Sequence, residues 1–298
     1  MNPPAYAWAV FTVLGAAAQT ARNAMQRGLT AKVGVAAASW ARFIFALPFA
    51  LVSLAVVLSF ERGSIALQPG FMPWLLVGSV AQMAGTATML LSMRDRAFVT
   101  VVAYTKTEPI QVAAFSLVFL AEPLTGLRLA AVVLGTLAVM LLSWPRERTG
   151  GAARWHGAAW GIAAGAGFAM AAVGYRGAIL HVAGVSFLSA ATFSLATALV
   201  IQTALSLAWL VAGDRSALRG LFRAWRESVP AGLAGAVASQ FWFLAFALEP
   251  APAVRTLALV EVIFAQAVSW RVFKERVGPR EVAGLLLLGV ALVAILRG

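Results

Sequence analysis

Long apolar runs broken by short polar connectors set the pattern of this chain. Ten runs reach membrane-spanning length, at about residues 5–26, 35–59, 71–93, 97–119, 124–144, 155–177, 185–212, 229–248, 251–271 and 279–296. A helix rising 1.5 Å per residue needs roughly 20 apolar residues to cross a hydrocarbon layer of about 30 Å. Each run therefore predicts a transmembrane helix, numbered here as spans 1 to 10. No Lys or Arg precedes span 1, and it is longer than a signal-peptide core, so it is expected to stay in the membrane.

Polar residues inside the runs fall at helical spacing. Span 1 carries Thr12, Gly15, Gln19, Arg22, Asn23 and Gln26 on one stripe, and span 3 carries Ser79, Gln82 and Thr86. Span 4 adds Thr100, Tyr104, Thr107, Glu108 and Gln111. A polar stripe on an otherwise apolar rod predicts a face turned toward a cavity. Spans 5 and 10 hold no internal ionisable residue and read as lipid-facing supports, which leaves spans 1–4 and 6–9 to enclose a path. Gln19, Asn23, Gln82, Tyr104, Lys106, Trp160 and Gln240 are the expected lining, together with the carboxylates Glu108 and Glu261.

Glu108 and Glu261 lie near the centres of their runs, where an ionisable group costs at least ~2.5 kcal/mol on insertion scales. Three roles stay open: holding a substrate ammonium, carrying a proton, or bonding backbone groups freed at helix irregularities such as the one Pro109 would create. Lys106, Arg22, Arg42 and Arg255 are the basic candidates for a substrate carboxylate, with Arg22 and Arg42 near enough to helix ends to snorkel. Trp8, Trp74, Trp144 and Trp155 sit near run ends and read as an interfacial belt. Tyr104, Trp160, Phe168, Tyr175 and Phe241-Trp242-Phe243 lie deeper, where they either line an apolar cavity or pack between helices.

Composition agrees with lipid as the solvent. Of 298 residues, 61% are hydrophobic and 11% charged, with a mean hydropathy of +0.87. Soluble domains run at about half apolar and a quarter charged. The net charge of +12 is spread in short clusters between apolar runs, which points to anionic lipid headgroups rather than nucleic acid. Cysteine is absent and His156 and His181 are the only imidazoles, so no metal centre or other cofactor is expected. No phosphate-binding Gly-x-x-x-x-Gly-Lys-Ser/Thr loop occurs, which excludes ATP hydrolysis by this chain.

Basic residues mark the odd-numbered connectors: Arg27 and Lys32, Arg94 and Arg96, Arg146, Arg148 and Arg154, Arg215, Arg219, Arg223 and Arg226, then Arg271, Lys274, Arg276 and Arg280. The even connectors offer Arg62, Arg128, Arg176 and Arg255, with Arg297 at the C-terminus. The positive-inside rule then places the odd connectors in the cytoplasm and both termini outside, in a multi-pass protein of a cell's inner membrane. Within 214–227, Leu218, Leu221, Phe222 and Trp225 repeat at helical spacing opposite four arginines, the pattern of a helix lying on an anionic leaflet.

The two halves, 1–149 and 150–298, resemble each other. Thr107-Glu108-Pro109, Phe119-Leu120-Ala121-Glu122-Pro123 and Gly135 align with Val260-Glu261-Val262, Phe273-Lys274-Glu275 and Gly289, the paired glutamates at a shift of 153. Trp8 and Gly15 match Trp160 and Gly167 at a shift of 152. An odd number of helices per copy inverts the second copy in the membrane. The small-residue step Ala247-Leu248-Glu249-Pro250-Ala251-Pro252-Ala253, the mid-helix Glu, the Glu after the helix and the Gly-rich last span resemble the ten-helix EamA-type members of the drug/metabolite transporter superfamily. That resemblance implies an all-α membrane fold of two inverted five-helix repeats, a cavity between them, alternating access, and export of amino acids or related metabolites.

A secondary, non-enzymatic exporter of small solutes is therefore the expected function, with a small-molecule solute and membrane lipid as partners and a chain compatible with a monomer. Efflux of lipophilic cations is the alternative transport reading, weakened by Lys106 and Arg255. An intramembrane lipid-modifying enzyme would need a nucleophile and base that no motif supplies, and the polar stripes argue against a purely structural or receptor role.

Overall fold

The computed structural model describes residues 4–92, 98–143, 151–213, 215–273 and 278–298. The protein is an all-α membrane protein. Six stretches are long and apolar enough to cross a membrane by length and composition: Ala37–Phe60, Gly126–Ser143, Trp155–Leu180, Phe187–Gly213, Trp225–Leu248 and Pro279–Arg297.

The helices follow the apolar runs. In chain order they are α1 (Ala7–Val33), α2 (Val35–Ile44), α3 (Leu47–Phe60), α4 (Phe71–Ser92), α5 (Phe98–Thr105), α6 (Glu108–Leu120) and α7 (Gly126–Ser143). Next come α8 (Gly151–Leu180), α9 (Phe187–Gly213), α10 (Arg215–Arg223), α11 (Trp225–Leu248), α12 (Ala251–Leu257), α13 (Val260–Phe273) and α14 (Pro279–Arg297).

Three expected continuous spans are broken, and each break has a local cause. Span 2 divides into α2 and α3 where Pro48 enters the first turn of α3. Proline lacks an N–H and crowds the carbonyl four residues earlier, so a helix ends or kinks just before it. Span 4 divides into α5 and α6 in the same way, with Pro109 in the first turn of α6. Span 9 divides into α12 and α13 at Ala258-Leu259 with no proline following. There the chain tightens, Leu259 N donating to the Thr256 carbonyl at 3.1 Å and Glu261 N to the Ala258 carbonyl at 3.0 Å. These three-residue bonds keep the backbone satisfied where the helix is interrupted.

The chain folds as two compact units, residues 1–80 with 174–248, and residues 81–173 with 249–298. These are not the sequence halves, since each unit takes residues from both. In unit one, α1 packs on α11 where Gly15 meets the Trp242 and Phe241 side chains, and α9 packs against α2, α3 and α11. Two short strands, β1 (Ala66–Leu67) and β2 (Val182–Ala183), pair antiparallel in register Ala66 with Ala183 and Leu67 with Val182. In unit two, α7 packs on α14, and α6 and α12 pack on each other and on α7.

Helix α8 closes tightly because its contact face is glycine. Gly167 lies against the Gly85 backbone of α4, where an added Cβ would fall 2.7 Å from Gly85 Cα. Gly161 lies equally close to the Val101 carbonyl and Tyr104 Cβ of α5. Small residues let membrane helices approach backbone to backbone, where dispersion contacts replace the missing hydrophobic drive.

Trp8 departs from expectation. It is 6% exposed, buried in unit one rather than held in an interfacial belt, while Trp155 is 78% exposed and Trp144 lies outside the described residues. The α1 helix continues to Val33, past the expected end near 26, and α11 begins at Trp225 rather than 229.

Candidate functional site

The breaks in spans 4 and 9 carry the charges. On α6, Glu108 follows the N-cap Thr107 and lies in the first turn, and Glu261 lies in the first turn of α13. Arg255 lies in the last turn of α12, and Lys106 follows the last residue of α5. A helix N-terminus favours an anion and a C-terminus a cation. Each broken helix thus places charges where its own dipoles favour them.

Across unit two the charges pair. Lys106 Nζ donates to Glu261 Oε1 at 2.9 Å, and Arg255 Nη2 lies in ion-pair contact with Glu108 Oε1. Both pairs are largely shielded, the Glu108 side chain being 12% exposed and Arg255 20%. Lys106 also lies within electrostatic reach of Glu108 and Arg255, so the four form one neutral quartet. A cavity of about 20 Å³ is lined by these four residues with Pro109, Ala258 and Leu259. That is room for about one water molecule.

Hydrogen bonds run beside the quartet on the Glu108 side. Thr107 Oγ1 donates to the Tyr104 carbonyl at 2.7 Å, and Gln111 Nε2 donates to Thr107 Oγ1 at 2.8 Å. One turn beyond Glu108, Gln111 Oε1 is buried and accepts no hydrogen bond among the described residues.

Of the expected lining, the structure brings together Lys106, Glu108 and Glu261, and with them Arg255, one of the basic candidates for a substrate carboxylate. Tyr104 and Trp160 are half-buried in the same unit, Tyr104 against Gly161 next to Trp160, and Gln82 is half-buried on α4. In unit one, Gln19 Oε1 accepts from Trp242 Nε1 at 3.3 Å, Gln240 Nε2 donates to Thr192 Oγ1 at 2.8 Å, and the exposed Asn23 accepts from Arg22. Tyr175, Trp242 and Phe243 are buried, the Tyr175 and Phe243 rings 4.7 Å apart.

The two carboxyls each meet a cation, Glu261 that of Lys106 and Glu108 that of Arg255, while three-residue backbone bonds span the breaks. Arg128, Arg176 and Arg255 are not connector charges: Arg128 pairs with Glu249, Arg176 is buried and donates to the Phe246 carbonyl, and Arg255 belongs to the quartet. The side chains of Arg27, Lys32, Arg94, Arg96, Arg146, Arg148, Arg154, Arg271, Lys274 and Arg276 lie outside those described.

No family model and no curated protein matches this chain. Among solved structures, one described only as a crystal structure of a protein is similar with a TM-score of 0.71, at 14% identity, over 96% of this chain and 97% of its own. Similarity at that identity shows a shared fold.

Proposed function

We propose that this chain is a secondary transporter that exports small metabolites, amino acids above all, by alternating access through a central cavity between inverted repeats 1–149 and 150–298. The observation that carries this is the neutral charge quartet at two helix breaks. Each charge in hydrocarbon costs several kcal/mol on insertion scales, so four of them in a chain otherwise rich in apolar residues imply a use beyond packing. Discontinuous helices are where secondary transporters bind solutes and ions. The last residues before the breaks, Thr105 and Leu257, stand 152 residues apart, the same shift that relates Trp8 and Gly15 to Trp160 and Gly167. That recurrence supports the inverted-repeat reading, as does the resemblance to EamA-type transporters.

A lipophilic-cation pump is less well supported, because each carboxylate of the quartet already has its own cation. Proteoliposomes holding the full chain, assayed against a panel of amino acids, test the proposal: at least one should be carried down an imposed gradient, and no transport of any overturns it. Glu108→Gln keeps shape and removes the charge. Its transport should fall with weakened affinity, since a charge-assisted bond contributes about 1.5–3 kcal/mol. A flattened pH profile with affinity intact would instead make Glu108 a proton carrier, and wild-type behaviour in both would make it structural.

A further inference from the structure

Resting on the transport reading above, we infer that the Arg255–Glu108 pair selects zwitterions by ion-pair exchange, opening to admit a substrate head group that bonds through its ammonium to Glu108 and through its carboxylate to Arg255.

The cavity inside the quartet, about 20 Å³, cannot hold an amino-acid head group while the pairs are closed. Entry must therefore separate a pair. In a shielded site, a carboxylate or guanidinium left without its partner is strongly unfavourable, so a ligand able to open the pair must satisfy both members at once. An α-ammonium and α-carboxylate on one carbon do that with no change in the net charge of the site.

Three features choose the Arg255–Glu108 pair over Lys106–Glu261. Its side chains are the better shielded, 20% and 12% exposed against 28% and 23%. The planar guanidinium of Arg255 presents a fork that matches a carboxylate in bidentate fashion, whereas Lys106 offers a point charge. Gln111 Oε1, one turn beyond Glu108 on α6 and without a donor among the described residues, lies outside the lining of the closed cavity and becomes a second acceptor for the three protons of the ammonium once the pair has opened. Lys106–Glu261 then remains closed during binding and holds the two breaks together.

Exchange has a signature that simple charge attraction lacks. In the wild type, an amine would leave Arg255 without its carboxylate, and an acid would leave Glu108 without its cation. Each should bind roughly 10- to 100-fold more weakly than the parent amino acid. Glu108→Gln should move the preference toward the acid, and Arg255→Gln toward the amine.

The experiment measures competition for uptake and thermal-shift binding on the purified full chain with matched sets: L-leucine, isoamylamine and 4-methylpentanoate, and L-phenylalanine, phenethylamine and 3-phenylpropanoate. Expected are selection of an amino acid by the wild type and opposite shifts in the two single variants. The double variant Glu108→Gln with Arg255→Gln leaves no uncompensated charge, so it serves should a single variant fail to fold. It should bind the amino acid at least 10-fold more weakly. Equal binding of amine or acid by the wild type, unchanged preference in both single variants, or wild-type affinity in the double variant overturns the exchange and leaves a transporter of another selectivity. Failure of the wild type to bind or carry any amino acid, amine or acid removes the transport reading and the inference together.

Discussion

Glu61, just past the end of α3, shows how one side chain can tie two loops. Its Oε2 accepts from Ser186 Oγ and Ser189 Oγ, each at 2.6 Å, and from Ser186 N at 2.9 Å, while Oε1 accepts from the amides of Arg62 and Gly63. The Ser186 hydroxyl first, then Ser189 and the amides, stabilise the ionised form and lower the carboxyl from its usual 4.5 to about 2. A lowered carboxyl contributes stability that is fully present above 4.5 and is lost as the pH falls toward 2. The β1–β2 pairing beside it should follow. The protection factor of the Gln68 amide, which donates to the His181 carbonyl, is expected to hold from about pH 7 to 5 and to fall below about pH 4. In Glu61→Gln it should be lower throughout and nearly independent of pH. Hydrogen exchange with equal protection in both proteins would show that the carboxylate does not hold the loops.

At the scale of elements, the close helix contacts are set by what α8 lacks. A Cβ on Gly167 would fall 2.7 Å from Gly85 Cα and 3.1 Å from the Ala81 carbonyl, all backbone atoms with no rotamer to escape into. Gly167→Ala should therefore destabilise by about 1–3 kcal/mol through overpacking, despite the better helix propensity of alanine. Gly289 on α14 has nothing within 4 Å of its would-be Cβ. There Gly289→Ala should be neutral or stabilising by roughly 0.5–1 kcal/mol. Thermal unfolding in detergent compares the two, and an equal response would mean that the α4–α8 approach is less tight than described. Helices α7 and α14 each leave one face open, Leu129, Leu137, Leu286 and Val290 being more than half exposed while Val132, Val139 and Leu288 are buried. But α7, expected to hold no internal ionisable residue, carries Arg128 in its shielded pair with Glu249.

For the whole molecule, the arginines decide how topology is read. With Arg128, Arg176 and Arg255 engaged inside the protein, the expected orientation, odd-numbered connectors in the cytoplasm, rests on the charges that remain in the connectors. Helix α10 carries some of them. Leu221 is fully buried, while Phe222 and Trp225 are 50% and 53% exposed beside Arg215, Arg219, Arg223 and Arg226, a surface suited to anionic headgroups. Because the native chain has no Cys, Ser216→Cys, exposed on α10, gives a clean probe. It should resist an impermeant thiol reagent in intact cells and react after permeabilisation. Labelling in intact cells would reverse the orientation.

What the sequence alone determined was that the long apolar runs are helical, though not where they break, because a backbone in hydrocarbon must bond within its own segment and long apolar runs leave it no other structure. Run ends and helix ends agree within a few residues at α4, α9 and α14. The recurrence of Glu108 and Glu261 was legible too, since it rests on spacing along the chain. Tertiary structure decided the rest. The break at Pro109 has a local signal, but the break at Ala258-Leu259 has none, and Trp8, interfacial by its place in the run, is buried by packing. Lys106 and Glu261 lie 155 residues apart, and no periodicity states which cation meets which carboxylate. That choice belongs to whichever helix ends packing brings within about 3 Å, where the strength of a charge pair depends on burial and geometry rather than on sequence distance.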